Sequence, residues 1–257
     1  MILDRLYRLA ARYYEKRLLE EVKRGEMPKH VAIILDGNRR FARKAGMDER
    51  QSYLLGAEKL EEVLSWCQEL GIRYGTVYAF STENFHRSKQ EVDALMDLFA
   101  EKFRQISRDE RVHRNRIRVR VIGDLSRLPE RVVAAIREAE EATRGYDGYF
   151  LTIALSYGGR AEIVDAVRRI CERVRRGELS PEEVNEQTIG EHLYTAGSPD
   201  PDLIIRTSGE ERLSGFLLWQ SAYSELYFCE AYWPEFSKID FLRAIRTFQK
   251  RERRFGR

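Results

Sequence analysis

The stretch HVAIILDGNRRFARKAG, residues 30–46, decides the fold prediction for this chain. Residues 30–35 form a short apolar run bounded by turn residues, a pattern typical of a buried strand in a parallel sheet. Asp36 would then stand at the carboxyl end of that strand, where open α/β sheets bind their ligands. Gly37 lets the backbone approach a ligand closely, and the following helix start offers N–H groups to an anion.

Positive charge surrounds this turn, from Arg39, Arg40, Arg43 and Lys44. A single carboxylate among cations and a glycine fits a metal ligand placed among phosphate-binding groups. The alternative is that Asp36 is only a helix N-cap, a role that Asp fills well. Both interpretations stay open on this stretch alone.

A second informative stretch is DLIIRTSGEERLSGFLLWQSAYSEL, residues 202–226. An apolar run ends in Arg206, and a turn that contains glycine then carries Arg212 and Ser214. The amphipathic stretch that follows is expected to return Glu225 to the same neighbourhood. Arginine suits phosphate oxygens, and a carboxylate beside a phosphate needs a bridging cation such as Mg²⁺. The stretch predicts half of a diphosphate–magnesium site; a surface loop with an ordinary salt bridge is the alternative.

A third stretch is TVYAFSTENFHRS, residues 76–88. Its first half is β-branched and aromatic, which indicates a strand, and Ser81, Asn84 and Arg87 follow the strand end. Asn can donate and accept hydrogen bonds, while Arg87 can hold a phosphate. His86 is interpreted as a solvated or locally bonded histidine rather than a general base.

Strands and helices alternate along the chain, which predicts an α/β fold with a parallel sheet covered on both faces. We expect a single domain with a central, mostly parallel six-stranded sheet. Its strands are predicted near 31–35, 75–81, 117–122, 149–155, 202–206 and 226–229. Helical patterns lie near 51–70, 90–107, 129–143, 160–176 and 182–195, the last starting at Ser180 and Pro181.

Bulk composition narrows the function classes. The chain has 257 residues, 43% of them hydrophobic, which fits one domain with a sizeable core. A net charge of +3 from 45 basic and 42 acidic side chains argues against a nucleic-acid binder. The cysteines Cys67, Cys171 and Cys229 lack metal-site spacing, which favours a reduced, cytoplasmic protein.

Residues 1–26 are predicted to form an N-terminal amphipathic helix, separate from the main domain at 27–257. Residues 2–22 have roughly helical apolar spacing, and because charges interrupt residues 1–24 we expect neither a membrane-spanning helix nor a signal peptide there. A basic amphipathic helix can lie on a membrane, which would make the protein peripheral there. Packing against the protein's own body is the favoured alternative, because the polar face is mixed in charge.

The three stretches, with SYGGR at 156–160 and RERRFG at 251–256, resemble the five motifs of the cis-prenyltransferases. This is the undecaprenyl and dehydrodolichyl diphosphate synthase family. The motifs occur in the family's order over almost the whole chain. Arg39, where bacterial members usually carry Gly, is similar to archaeal members. Tyr53 stands where many relatives have a histidine; a phenol can hydrogen-bond phosphate but cannot carry a positive charge.

The resemblance implies a role for each matching residue. Asp36 would be the catalytic aspartate that binds Mg²⁺ on the allylic diphosphate, and Glu225 a second metal ligand contributed across subunits. Asn84 and Arg87 would lie near the reacting carbons. Arg206, Arg212 and Ser214 would hold isopentenyl diphosphate, which the partner's Arg-x-Gly tail would reach. The implied substrate-binding residues are Gly37, Asn38, Arg39, Arg40, Ser81, Phe85, Arg206, Arg212, Ser214, Arg254 and Gly256.

The resemblance also implies a homodimer with an elongated apolar tunnel, for which Phe99, Phe103 and Ile106 are candidate floor residues. The activity would be condensation of isopentenyl diphosphate onto a farnesyl or geranylgeranyl diphosphate primer. Its product would be a long-chain polycis-polyprenyl diphosphate, a precursor of a glycosyl carrier lipid. The alternative is a non-catalytic accessory subunit of a heteromeric synthase. A trans-type synthase is disfavoured because no DDxxD motif occurs, and a nucleotide hydrolase because no GxxxxGK loop occurs.

Overall fold

The computed structural model describes residues 2–251, with side chains from residue 9 onward. Within these residues the strands form one six-stranded sheet in the order β3-β4-β2-β1-β5-β6. This confirms the predicted α/β class, and each strand lies within two residues of its predicted bounds. The strands are β1 (His30–Ile34), β2 (Tyr74–Ser81), β3 (Ile117–Ile122), β4 (Tyr149–Tyr157), β5 (Leu203–Arg206) and β6 (Glu225–Phe228).

The predicted helices are also found, with one correction. The helix predicted near 182–195 is shorter than predicted: a 3₁₀ turn, Pro181–Glu183, is followed by a separate helix, Glu186–His192. Asn185 caps that second helix by accepting from the Thr188 N–H, so the chain starts a new helix there. The α-helices are α1 (Ile2–Val22), α2 (Asn38–Ala45), α3 (Glu49–Glu69), α4 (Lys89–Ile106), α5 (Glu110–Arg114), α6 (Glu130–Thr143), α7 (Gly159–Arg175), α8 (Glu186–His192) and α9 (Lys238–Lys250).

The chain divides into two compact units. The first consists of Met1–Gly75, Pro201–Glu211 and Tyr223–Arg257. In it β5 pairs in parallel with both β1 and β6, and α1 packs against α9. Trp233 is fully buried, and its indole N–H donates to the Gly56 carbonyl of α3 at 2.8 Å.

The second unit consists of Thr76–Asp200 and Arg212–Ala222. Strands β3 and β4 pair in parallel along their length, and α4 packs against α6. Alternate residues of β3 are buried, as expected for an edge strand that packs on one face. Phe80, Tyr157 and Phe216 are among the largest fully buried side chains of this unit.

Helix α1 is the segment for which the sequence offered two alternatives, membrane binding and packing against the protein's own body. Its last turns are anchored in the first unit, because Leu18 and Val22 are almost completely buried. Leu9 and Tyr13, one turn apart, are exposed on the same helix. None of the described helices combines the length and the apolar character needed to cross a membrane.

Candidate functional site

Asp36 lies just past the carboxyl end of β1, as the sequence predicts, and its backbone is held by Thr207. The Asp36 N–H donates to the Thr207 hydroxyl at 3.0 Å, and that hydroxyl lies 2.7 Å from the Asp36 carbonyl. Thr207 is fully buried and follows Arg206 at the end of β5. Because Ile34 and Arg206 are register partners, two neighbouring strands end side by side at this point.

The Asp36 carboxylate contacts two guanidinium groups. Arg206 Nη2 donates to Asp36 Oδ2 at 2.8 Å, and Arg40 Nη2 lies 3.5 Å from the same oxygen. The Arg206 side chain is only 5% exposed, whereas 29% of the Asp36 side chain is exposed. Burial acts to raise the pKa of Asp36, but the Arg206 hydrogen bond and the two positive charges outweigh it, so the pKa is lowered. Asp36 is therefore a charged carboxylate with access to solvent.

Gly37 is the N-cap of α2, and it makes no side-chain cap. This excludes the interpretation of Asp36 as the helix cap. Gly37 has φ of 104°, a left-handed conformation that favours glycine. A Cβ built there would lie 2.9 Å from Ser208 Cβ and 2.9 Å from Tyr232 Cδ1. The turn therefore requires glycine both for its backbone conformation and for its close packing.

The first residues of α2 point in different directions. The Asn38 amide donates to the Leu35 carbonyl at 3.1 Å, so its NH₂ group holds the turn together. Arg39 is exposed. Arg40 reaches back across the turn and donates to Glu210 Oε1 at 3.1 Å and to the Ser208 hydroxyl. The first N–H groups of a helix have no intrahelical partner, so this end of α2 carries partial positive charge.

The donor set fits a magnesium ion that is bound together with a substrate. Among residues 9–251, no cluster of three or more His, Cys, Asp or Glu side chains could hold a metal by itself. Mg²⁺ is commonly held by one or two carboxylates and by substrate phosphates, which supply the remaining oxygens. Asp36 offers one such carboxylate beside cations suited to the same phosphates.

Glu225 does not lie beside Asp36 in the same chain, so the expectation that it returns to that neighbourhood is wrong. Glu225 begins β6 and is the register partner of Leu203, which in turn pairs with Val31 at the start of β1. Asp36 follows the other end of β1. Three residues of parallel strand span about 10 Å, so the two carboxylates lie at opposite edges of the sheet. Arg251 donates to the Glu225 carboxylate from the end of α9.

In the second unit, Ser81 and Asn84 bind each other. The Ser81 N–H donates to Asn84 Oδ1 at 3.0 Å, and the two form the capping box of a 3₁₀ turn, Thr82–His86. The amide oxygen of Asn84 is thereby oriented by its own turn, which leaves the amide NH₂ as the group that Asn84 can offer to a ligand.

Arg87 and Phe85 extend from the same turn. Arg87 Nη1 donates to Glu91 Oε1 at 2.9 Å, and both side chains are mostly buried. Phe85 packs edge-to-face against Phe80, with ring centroids 4.9 Å apart, and the Arg127 guanidinium lies 4.3 Å from the Phe85 ring centre.

Arg212 and Ser214 lie on an exposed loop of the second unit. Ser214 has φ of 49°, Gly215 of 81° and Leu217 of 45°, so this loop uses left-handed backbone at three positions. Tyr53, the residue at the usual histidine position, lies half-buried on α3. Arg254 and Gly256 lie outside the described residues.

Sequence reasoning missed Thr207, Ser208 and Glu210. These residues lie directly after β5 and contact Asp36 or Arg40. Their position next to Arg206 in the RTSGE segment was the available signal. That signal is weak, because hydroxyl residues near a strand end are common in ordinary turns.

Three comparisons agree on the relationship of this chain to known proteins. The family model described as "Putative undecaprenyl diphosphate synthase" matches residues 34–256. A Thermococcus kodakarensis protein named tritrans,polycis-undecaprenyl-diphosphate synthase (geranylgeranyl-diphosphate specific) is 61% identical over 244 residues, 95% of this chain and 92% of that protein. A protein of the same name from Methanocaldococcus jannaschii is 56% identical over 246 residues, 95% of this chain and 88% of that protein.

Solved structures show the same relationship. Lavandulyl diphosphate synthase from Lavandula x intermedia, in complex with dimethylallyl diphosphate, superposes with a TM-score of 0.86 at 39% identity, covering 90% of this chain and 99% of that chain. A probable undecaprenyl diphosphate synthase from Campylobacter jejuni gives a TM-score of 0.74 at 36% identity, with the same coverage. The resemblance of the five motifs is thus confirmed, and the chain belongs to the undecaprenyl diphosphate synthase family of prenyltransferases.

Proposed function

We propose that this enzyme condenses isopentenyl diphosphate onto geranylgeranyl diphosphate and extends it to a long-chain polycis-polyprenyl diphosphate. The relatives from Thermococcus kodakarensis and Methanocaldococcus jannaschii carry names that specify geranylgeranyl diphosphate, which favours this primer over farnesyl diphosphate. The product would serve as the precursor of a glycosyl carrier lipid. The observation that carries the proposal is the charged Asp36 carboxylate, held by Arg206 and Arg40 at the end of β1.

Asp36, Gly37 and the start of α2 form the proposed site for the allylic diphosphate. The helix start and the side chains of Arg39 and Arg40 attract the negative charge of the diphosphate. Asp36 would hold a Mg²⁺ ion, which would supply positive charge that stabilises the leaving diphosphate. Asn38 contributes through its position in the turn, since its amide is already bound to Leu35.

The reaction breaks the allylic C–O bond and forms a carbon–carbon bond. The diphosphate leaves with the bonding electron pair, and the allylic carbon becomes cationic. The double bond of isopentenyl diphosphate attacks that carbon, and loss of a proton then gives the new cis double bond. Removing one donor that stabilises developing charge typically costs about 2.7–4 kcal/mol in the transition state. We assign Asn84 and Arg87 to the region of the reacting carbons and leave the base that takes the proton unassigned.

Arg212 and Ser214 are proposed to bind the second diphosphate, that of isopentenyl diphosphate, together with Arg206. Both loop residues are exposed, which suits contact with a diffusing anion. A guanidinium fork and a hydroxyl are complementary to phosphate oxygens. Ser81 and Phe85 are proposed as further substrate contacts from the 3₁₀ turn after β2.

An active homodimer is proposed because Glu225 lies at the opposite edge of the sheet from Asp36. A Glu225 carboxylate that acts as a metal ligand must therefore serve the Asp36 site of another chain. Arg254 and Gly256 would reach the isopentenyl site of the partner in the same way. In most homodimers each subunit contributes the same surface, so two such sites would form together.

We propose that an elongated apolar tunnel holds the growing chain and sets the product length. Phe99, Phe103 and Ile106 on α4 are the candidate floor residues. Each added isoprene unit buries several CH₂-sized groups worth about 0.8 kcal/mol each, so a tunnel is readily filled until bulky side chains stop it.

An Asp36→Asn variant tests the proposal and its accessory-subunit alternative. Labelled isopentenyl diphosphate is incubated with the purified protein, Mg²⁺ and either geranylgeranyl or farnesyl diphosphate, and chain length is read by chromatography. We expect elongation from geranylgeranyl diphosphate that Asp36→Asn abolishes. Lack of elongation by the wild-type protein with both primers would favour the accessory subunit, and elongation by Asp36→Asn would exclude Asp36 as the metal ligand.

A further inference from the structure

The SYGGR segment, residues 156–160, contacts the loop that carries Arg212 and Ser214. We propose that Tyr78, Gly159 and Gln220 are positioning residues that hold this loop in the conformation that binds isopentenyl diphosphate. The inference deepens the proposed function and rests on its assignment of the loop to that substrate. It gives the SYGGR motif the task of positioning that loop.

The loop needs such support because its backbone is strained. Ser214 and Leu217 have φ of 49° and 45°, a left-handed conformation that non-glycine residues seldom adopt. A strained conformation of this kind persists only where the surrounding structure imposes it. The contacts that the loop backbone and the buried side chains make within the second unit supply restraint of this kind.

The first contact joins two glycines. The Gly159 N–H, at the first residue of α7, donates to the Gly215 carbonyl at 2.9 Å. A Cβ built on Gly159 would lie only 2.5 Å from the Gly215 oxygen and 2.9 Å from Leu218 Cγ. Any side chain at position 159 would therefore push the loop away from the helix start.

The second contact comes from Tyr78, a buried residue of β2. Its hydroxyl lies 3.1 Å from the Tyr157 carbonyl and 3.4 Å from the Ser214 carbonyl. Its ring stacks on Phe216, with centroids 4.7 Å apart and an interplanar angle of 12°. Tyr78 thus joins the end of β4 to the loop on both sides of Gly215, through the backbone of Ser214 and the side chain of Phe216.

The third contact is a buried polar network. The Glu162 carboxylate is fully buried in α7, and a buried carboxylate is costly unless hydrogen-bond donors surround it. The Gln220 amide donates to both of its oxygens at 3.2 Å, the Tyr194 N–H donates at 2.8 Å, and the Tyr157 hydroxyl donates from within SYGGR. Gln220 lies toward the C-terminal end of the loop, so the network holds that end, while the Gly159 N–H holds the loop at Gly215.

The experiment measures isopentenyl diphosphate affinity by calorimetry and the KM for each substrate in steady-state kinetics. The test variants are Tyr78→Phe, which keeps the ring and removes the hydroxyl, and Gly159→Ala. The matched controls are Tyr146→Phe, whose hydroxyl lies 2.8 Å from His113 Nδ1, and Gly190→Ala, which has open space at its Cβ. Both controls lie in the second unit.

We expect each test variant to weaken isopentenyl diphosphate binding by about threefold to tenfold, the loss that one misplaced hydrogen bond causes. The KM for the allylic primer should not change, and the controls should bind as the wild type does. Hydrogen exchange of residues 213–221 should become faster in the test variants. If Gly159→Ala does not fold, the isopentenyl diphosphate affinity and the hydrogen-exchange rates of Tyr78→Phe test the inference by themselves.

Arg212→Gln separates failure of the inference from failure of the proposed function. If Arg212→Gln weakens isopentenyl diphosphate binding and Tyr78→Phe does not, the positioning role is wrong and the proposed function stands. If Arg212→Gln binds as the wild type does, the loop does not hold this substrate, and both assignments fail. Equal increases in KM for both substrates would show a general structural effect and would also contradict the inference.

Discussion

Asp36 is a partly exposed carboxylate whose charge depends on Arg206. The guanidinium is almost fully buried and donates to the carboxylate at 2.8 Å. If one residue of such a pair is replaced, the charge of the other is left buried without a counter-ion. The free-energy cost of that unpaired charge exceeds the net stabilisation that the pair contributes. The two residues therefore contribute to stability as well as to the proposed chemistry.

The stability contribution of Asp36 should depend on pH. Because the folded state lowers the pKa of Asp36, the contribution is complete above the carboxyl's unfolded pKa and is lost as the pH falls through the folded value. We expect Asp36→Asn to lower the free energy of unfolding by about 1–3 kcal/mol at neutral pH. Urea unfolding at several pH values should show this difference shrinking in acid. A difference that stays constant or grows on acidification would contradict the prediction.

Thr207 is predicted to affect the reaction through the backbone of Asp36. Its hydroxyl contacts the N–H and the carbonyl of that residue and the Ile34 carbonyl, so Thr207→Val removes these three contacts while keeping the side-chain shape. We expect kcat/KM for the allylic primer to fall by about threefold to tenfold, the value of one hydrogen bond. Thr207→Ser, which retains the hydroxyl, is the control and should keep most of the activity. Equal activity in the Thr207→Val and Thr207→Ser variants would show that the Thr207 hydroxyl does not position Asp36.

At the scale of elements, the turn between β1 and α2 depends on Gly37. Gly37→Ala would suffer both a left-handed backbone and contacts of 2.9 Å with Ser208 and Tyr232. Gly46→Ala, at the other end of α2, has φ of 63° but nothing within 4 Å of its Cβ. We expect Gly46→Ala to lower the free energy of unfolding by about 1 kcal/mol, and Gly37→Ala to lower it by about 1–3 kcal/mol more than that. Thermal or urea unfolding measures both, and equal losses would contradict the packing argument.

The boundaries of the elements show what sequence patterns could and could not predict. Most strands were predictable as apolar runs between turn residues, as in residues 30–35, and β3 as the alternating pattern IRVRVI. The pairing of Asp36 with Arg206 followed from placing both at the carboxyl ends of parallel strands. The break after Pro181–Glu183 was missed because the helical pattern continued through Asn185, whose capping bond depends on the local backbone. Thr207 was missed because nothing in its residue type marks a tertiary contact.

Helix α4 offers a test of the proposed tunnel. Phe103 is 2% exposed and belongs to the core, whereas Phe99 is less buried and lies edge-to-face against Phe80, with centroids 6.1 Å apart. We expect Phe99→Ala to lengthen the product, because a smaller side chain leaves room for more isoprene units. Phe103→Ala should instead lower stability by about 3–5 kcal/mol. Chromatography of the products checks the first expectation, and an unchanged length distribution for Phe99→Ala would contradict it.

At the scale of the whole molecule, the position of Glu225 could be determined only from the strand register. The sequence places Glu225 in the same stretch as Arg206, and this closeness suggested one neighbourhood. In a parallel sheet, however, Arg206 ends β5 and Glu225 begins β6, so the intervening chain returns to the opposite edge. In neighbouring parallel strands, the first residue of one strand and a residue just past the end of the other lie at opposite edges of the sheet. A shared site for Asp36 and Glu225 consequently requires two chains.

Mixing two inactive variants tests this requirement. Asp36→Asn and Glu225→Gln should each lose most activity as homodimers, since every site then lacks one carboxylate. When the subunits are dissociated, mixed and reassembled, about half of the dimers are mixed and each has one intact site, which restores about a quarter of wild-type activity. The matched control mixes Asp36→Asn with the double variant Asp36→Asn/Glu225→Gln, which cannot form an intact site and should stay inactive. If both carboxylates acted within one chain, the mixture of single variants would stay inactive as well, because neither chain carries both.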